Sequence, residues 1–273
     1  MLAETARSQG RGLLSYLHPA FMGPAVGMSL FGGLLAREFA AVPGTVHAFA
    51  VGLALYTAHL KDGYVDGHLR GEETPALSAI TNRQSIWVAS TGFAVVLGAL
   101  WLTVGFVSVL WVVPLWILAM LHAPYLDKNP LGGTVGYPVG IALAIGGGFF
   151  VQAHRLPVRI IGVSLVFLVL LSAVKISTDR EDYEFDRSIE KRTVPVALGT
   201  DTANEISIGV FLLASALVVG LIAVGTFPPL TTIAAVFPLC AACVSAFVSR
   251  DRSIRLQMLL MYPFAATLFL TLR

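Results

Sequence analysis

Two short acidic segments hold most of the residues in this sequence that could do chemistry. One reads His59-Leu-Lys-Asp62-Gly-Tyr-Val-Asp66, the other Asp179-Arg-Glu-Asp182-Tyr-Glu-Phe-Asp186. Each places polar side chains at i, i+3 and i+7, which on a helix of 3.6 residues per turn is one face. Stacked carboxylates repel, and more strongly beside a low-dielectric medium than in water. A divalent cation neutralises such a column. Mg²⁺ prefers hard oxygen donors from one or two carboxylates, with water and phosphate oxygens completing its shell. Basic residues interleave with the acids: Lys61 in the first segment, Arg180 in the second, and Arg187, Lys191 and Arg192 just after it. A diphosphate held through metal needs such cations on its remaining oxygens. The competing reading is a pair of solvated loops whose acids simply pair with these Lys and Arg residues.

The elements that must position these segments are membrane helices. Of 273 residues, 56% are hydrophobic and only 12% charged, with a mean hydropathy of +0.79. Soluble domains carry about 25% charged residues, so a soluble protein is excluded. A net charge of +2 gives no argument for nucleic acid. The expectation is an all-α polytopic protein, one integral membrane domain over residues 1–273. Apolar runs predict nine spans, at 20–36, 44–61, 84–103, 105–122, 134–152, 158–178, 204–225, 229–248 and 254–272. Arg7 and Arg11 precede the first run as in a signal peptide, but no small-residue cleavage site leads into a soluble domain, so the span is expected to be retained. With the N-terminus inside, only Arg37, Arg155, Arg159 and Arg273 of the 18 basic residues fall outside. The positive-inside rule then puts both acidic segments on the cytoplasmic side of the cell membrane. Together, acid columns, cations and an apolar interior fit a phosphorylated lipid whose head binds at the interface and whose tail lies between helices.

Two further features read as packing. Gly132-x-x-x-Gly136-x-x-x-Gly140 and Gly146-Gly147-Gly148 allow close helix approach in lipid, the alternative being a ligand that passes close to the backbone. Cys240 and Cys243 have no second pair and no adjacent His, so they are expected in the core and not as a metal or redox site.

The second segment continues into a longer pattern, Asp179-x-x-Asp182-x-x-x-Asp186-Arg187-x-x-x-x-Arg192-Thr193-Val194-Pro195-Val196-x-Leu198-Gly199. It resembles the second aspartate motif of the UbiA superfamily of intramembrane prenyltransferases. Nine helices, a first acidic motif after helix two and a second after helix six also match that pattern. So does a helix four to five connection, here Tyr125-Leu-Asp-Lys128-Asn-Pro-Leu-Gly132, similar to the family's tyrosine, lysine and glycine-rich turn. The resemblance implies Mg²⁺-dependent transfer of an isoprenyl group from a prenyl diphosphate to a lipophilic acceptor of quinone-precursor, ether-lipid or carotenoid type. It also implies roles for individual residues. Asp62, Asp66, Asp179, Asp182 and Asp186 would be the metal-binding acids, Lys128, Arg180 and Arg192 would hold the diphosphate, and Tyr125 and Tyr183 would position or shield the allylic cation; each tyrosine could equally be an interfacial belt residue.

The first motif departs from the family's N-D-x-x-D-x-x-x-D, with Ala58-His59 in place of Asn-Asp. His59 could ligate metal, donate to diphosphate or cap a helix end. Imidazole is a poor Mg²⁺ partner, which favours a hydrogen bond to phosphate. The family's arginine-proline element is replaced by Gly71-Glu72-Glu73-Thr74-Pro75, where Glu72 or Glu73 could serve as a ligand or belong to a solvated loop. Two other functions stay open on the same fold: an intramembrane terpene cyclase, and a lipid-diphosphate binding protein that has lost catalysis.

Overall fold

The computed structural model describes the backbone of residues 2–189 and 191–273, and side chains from residue 9 onward apart from residue 190. The side chain of Arg7, counted above among the basic residues, lies outside the described residues.

Every element among the described residues is helical. In chain order they are α1 (Leu2–Ser15), α2 (Pro19–Leu34), α3 (Ala41–Tyr64), α4 (Ala79–Val104), α5 (Phe106–Leu121), α6 (Pro130–Ala153), α7 (Val158–Thr178), α8 (Tyr183–Ser188), α9 (Val194–Leu198), α10 (Thr200–Ala223), α11 (Thr232–Phe247) and α12 (Arg250–Leu272). Eight of the helical segments are long and apolar enough to span a bilayer, and α2 is a shorter apolar helix of 16 residues. These nine correspond to the nine predicted spans. The chain is an integral, multi-pass membrane protein. α1 lies outside the nine predicted spans, because its composition is polar on balance.

The inner helices are α6 and α7: 61% and 56% of their most apolar stretches are buried, against 17% for α4. α2 and α7 pack on α6, α10 packs on α7, and α3 joins α2, α4 and α5. The core is a continuous cluster that includes Ile141, Ile145, Val163, Leu170, Phe211 and Phe264. Small residues let α2 and α6 cross backbone to backbone. A Cβ at Gly148 would overlap the Ser29 carbonyl, and one at Gly32 would overlap that of Ile145. The packing reading holds for Gly146-Gly147-Gly148, whereas Gly136 and Gly140 line the cavity described below. α4 and α5 are separated by a single residue, Gly105, at φ +115°.

Two expectations need correction. The fifth predicted span starts too late, because Asn129 caps α6 by accepting from the amides of Leu131 and Gly132, and Pro130 occupies the first helical position. Gly132 is thus inside a helix and not in a turn. Cys240 and Cys243 are free thiols on the exposed face of α11, not in the core. Their three-residue spacing places both on one outward side of that helix.

Candidate active site

Both acidic segments lie at helix ends, and the structure changes the shape of each. α3 does not stop after Asp62. It runs into a π-helical turn, Val65–Arg70, closed by Gly71 in the left-handed conformation at φ +68°. The wider i→i+5 winding of such a turn alters the angle between successive side chains, so Asp66 is not simply one α-turn beyond Asp62. The second segment is not one helix face. α7 ends at Thr178, Asp179 caps it, and the chain re-enters a short helix only at Tyr183. Asp179 and Asp186 are buried while Asp182 is exposed. The Asp186 amide donates to the Asp182 carbonyl at 2.7 Å, the first i→i−4 bond of α8, so Asp182 caps that helix while Asp179 belongs to the end of α7.

The α5 to α6 connection supplies an acid that the sequence reading passed over. Asp127 is only 6% exposed. Its Oδ2 lies 2.7 Å from Arg70 Nη1, and the same guanidinium reaches Asp66 at 3.2 Å and Glu72 at 3.6 Å. One arginine therefore binds three carboxylates from the end of α3, the following loop and the α5 to α6 connection. The Asp127 carbonyl also accepts from the Arg192 amide at 2.9 Å, tying the second motif's tail to the same place. Arg70 carried no signal because it stands outside both acid columns, four residues past Asp66. Asp127 carried none because it stands alone between Tyr125 and Lys128.

Lysines fill the space between the acid sets. Lys175, one turn before Asp179 on α7, forms an ion pair with it. Lys191 Nζ is 3.8 Å from Asp66 Oδ2 and within electrostatic reach of Asp62, Glu72, Asp179 and Asp186. Burial raises the Asp179 carboxyl above the usual range, against the pull of Lys175. Burial and the neighbouring Asp179 raise Asp186 in the same direction. Burial, with Asp66 adding to it, also raises Glu72.

These acids fit a hard divalent cation. Among the described residues, Asp62 Oδ1, Asp127 Oδ1 and Asp179 Oδ2 are buried without a hydrogen-bond partner, and the Glu72 oxygens have only the ion pair with Arg70; such oxygens are costly unless something positive meets them. No three acids or imidazoles among the described residues converge on one point as a ready-made cage. That suits Mg²⁺, which is commonly held by one or two carboxylates together with substrate phosphate and water.

Below the acids lies a cavity of about 400 Å³. Its polar end carries Asp62, Asp66, Glu73, Lys175, His18, His59 and His122; deeper in, Ala25, Val51, Ala54, Leu55, Leu115 and Gly140 make it apolar. The second-motif aspartates are not on its wall and connect to it through Lys175. His59 is interior to α3, which removes the helix-capping reading, and its Nδ1 lies 3.1 Å from the Tyr16 carbonyl.

The remaining candidates lie elsewhere. Arg180 is turned toward α10, where its Nη1 donates to Asn204 Oδ1 at 2.6 Å and its carbonyl accepts from Arg250 at 3.3 Å. Burial, with Arg250 nearby, lowers its pKa. This arrangement holds its Nη1 against α10. Tyr125 is 65% exposed and does not line the cavity, nor does Tyr183; the phenols that do are Tyr16 and Tyr137. Lys128 and Arg192 are exposed beside the buried cluster.

A family model described as the UbiA prenyltransferase family matches residues 25–268. The chain belongs to this family. Its fold is that of solved UbiA structures. A structure described as digeranylgeranylglyceryl phosphate synthase superposes with a TM-score of 0.73 at 14% identity, covering 96% of this chain and 99% of that one. A UbiA homologue from Archaeoglobus fulgidus, bound to DMAPP and Mg²⁺, gives 0.68 at 16% identity over 97% and 99%. A UbiA homologue from Aeropyrum pernix K1, without ligand, gives 0.70 at 15% identity over 92% and 98%. No curated protein sequence matches the chain. At these identities the structural likeness establishes the UbiA fold, and the family match establishes membership.

Proposed function

We propose that this protein transfers an isoprenyl group from a prenyl diphosphate to a membrane-soluble acceptor and releases diphosphate in a Mg²⁺-dependent reaction. The observation that carries this reading is that Asp62 has a buried carboxylate oxygen without a partner among the described residues and stands at the head of an apolar cavity. A ligand with a multivalent anionic head and a hydrocarbon tail fits both parts. Structural neighbours solved with DMAPP or GPP and Mg²⁺ support the same class of ligand.

Asp62 and Asp66 on one side, and Asp179 and Asp186 on the other, would hold the metal, with Asp182 at the exposed rim. Bound Mg²⁺ would supply positive charge to the departing diphosphate. The chain's own part is to position and exclude. Lys175 and Lys191 would present charge to the head group, and the exposed Arg192 and Lys128 would add to it from the surface. Arg70 fixes Asp66 of the first motif against Asp127 of the α5 to α6 connection. The apolar wall keeps water from an allylic carbon that develops cationic character. The expected site of action is the cytoplasmic face of the cell membrane, since the acidic ends of α3 and α7 carry the positive residues.

The test is an assay of labelled prenyl diphosphates in membranes containing the protein, against aromatic, glycerol-phosphate and carotenoid acceptors. Transfer that requires both Mg²⁺ and an acceptor is expected. Turnover to a hydrocarbon or terpene alcohol without acceptor would show a cyclase, and binding without turnover a non-catalytic binder.

A further inference from the structure

His59 stands where the family's first motif has a carboxylate, and its surroundings suit a different task. α3 descends from the acids into the apolar interior. Three residues from Asp62 is about 4.5 Å along the axis, so His59 sits one turn below the metal-facing acid. The next turns down contribute Leu55, Ala54 and Val51 to the apolar wall. In the ligand pose proposed above, this level is the junction of head and tail, where the carbon bonded to diphosphate would lie and where a nucleophile must approach.

The hydrogen bond to Tyr16 fixes the proton on the imidazole. A backbone carbonyl only accepts, so a neutral His59 carries its proton on Nδ1 and leaves the Nε2 lone pair free. No partner for Nε2 exists among the described residues, and the residue lines the cavity. The ring is held from a second side by His18, edge-on at 4.7 Å between centroids, with Phe21 beyond. An imidazole with one nitrogen anchored to a carbonyl and the other open to a reaction chamber has the arrangement of a general base.

We propose that His59 is this base and that the acceptor is a hydroxyl compound, an alcohol or a phenol; the inference rests on the prenyltransferase reading above. The acceptor oxygen forms a bond to the allylic carbon as the carbon–oxygen bond to diphosphate breaks. The bonding pair leaves with diphosphate, and the hydroxyl proton moves to Nε2. The imidazolium then returns that proton to water. His59 thereby acts on the acceptor and not on the diphosphate.

The experiment uses full-length protein in membranes with labelled geranyl diphosphate and a panel of phenols, long-chain alcohols and polyenes without hydroxyls. His59→Gln keeps side-chain volume, and His59→Ala opens space for added imidazole. The expected result is Mg²⁺-dependent geranyl diphosphate binding within about threefold of wild type in both variants, with the transfer rate at saturation lower by roughly 10²–10⁴-fold. Imidazole should restore part of the rate in His59→Ala. Wild-type rates in His59→Gln would overturn the proposal. So would loss of geranyl diphosphate binding in step with rate, which would make His59 a diphosphate or structural residue. Transfer only to polyenes would also overturn it. Failure of the wild type to transfer to any acceptor would instead remove the prenyltransferase reading beneath it.

Discussion

Arg70 and Asp127 show how one buried pair can organise a site without being part of its reacting centre. Their side chains are 8% and 6% exposed. Removing one member of such a pair leaves the other charge buried and unmatched, at a cost of about 3–5 kcal/mol. Arg70 keeps Asp66 and Glu72 when Asp127 is lost, which puts the effect at the lower end. Asp127→Ala is therefore expected to lower stability by about 3 kcal/mol, read as an earlier thermal unfolding transition in detergent. An unchanged transition would mean the pair is not formed in the folded protein. The raised carboxyls of Asp179 and Asp186 give a second expectation at this scale. A carboxyl whose folded pKa is raised takes up a proton earlier on acidification, so protons compete with metal at a higher pH than for an ordinary aspartate. The stabilisation conferred by Mg²⁺ should shrink as pH falls from neutral into the mildly acidic range, and thermal unfolding with and without Mg²⁺ across that range measures it. Stabilisation that grows on acidification would contradict the assignment.

At the scale of elements, close backbone crossing governs the bundle. Gly148→Leu should prevent α2 from seating on α6, because the new side chain meets the Ser29 carbonyl directly. Overpacking of this kind costs about 3 kcal/mol or more, and it should appear as a sharp fall in folded yield by size-exclusion chromatography. The helices themselves were legible in the sequence, since long apolar runs separated by charge permit little else in a bilayer. What was not legible is what happens at their ends. The i, i+3, i+7 spacing of Asp179, Asp182 and Asp186 suggested one face, but helix α7 stops at Thr178 and Asp182 points outward. Asp66 likewise sits in a π-helical turn that no spacing rule announces. Arg180 lies in the same segment as the acids, yet Asn204 of α10, 24 residues on in sequence, captures it. Spacing along a chain indicates a face only while one regular helix continues, and these sites occur where regularity ends.

For the whole molecule, the scarcity of charge becomes a topological statement. The acids of both motifs, their lysines and Arg70 gather at one end of the bundle, while Arg37, Arg155 and Arg159 are at or near the loops of the other. The membrane-impermeant maleimide test follows, in a background where the exposed Cys240 and Cys243 are replaced by Ala. In intact cells a cysteine at Glu38 should react and one at Ser188 should not; the reverse pattern would invert the proposed orientation. Family and fold were readable from the acidic motifs and the span pattern. The acceptor was not, because it depends on the cavity's shape and on His59, whose partner Tyr16 is 43 residues away in sequence.

The central claim is that the acids at the end of α3 and the cavity beneath them act together on a prenyl diphosphate. Its most direct test is diphosphate release from labelled geranyl diphosphate in membranes, comparing wild type with Asp62→Asn in Mg²⁺ and in EDTA. The account predicts acceptor-dependent release by the wild type in Mg²⁺ alone, and a fall of about 100-fold or more in Asp62→Asn. Undiminished release by Asp62→Asn, or release that ignores EDTA, would contradict it.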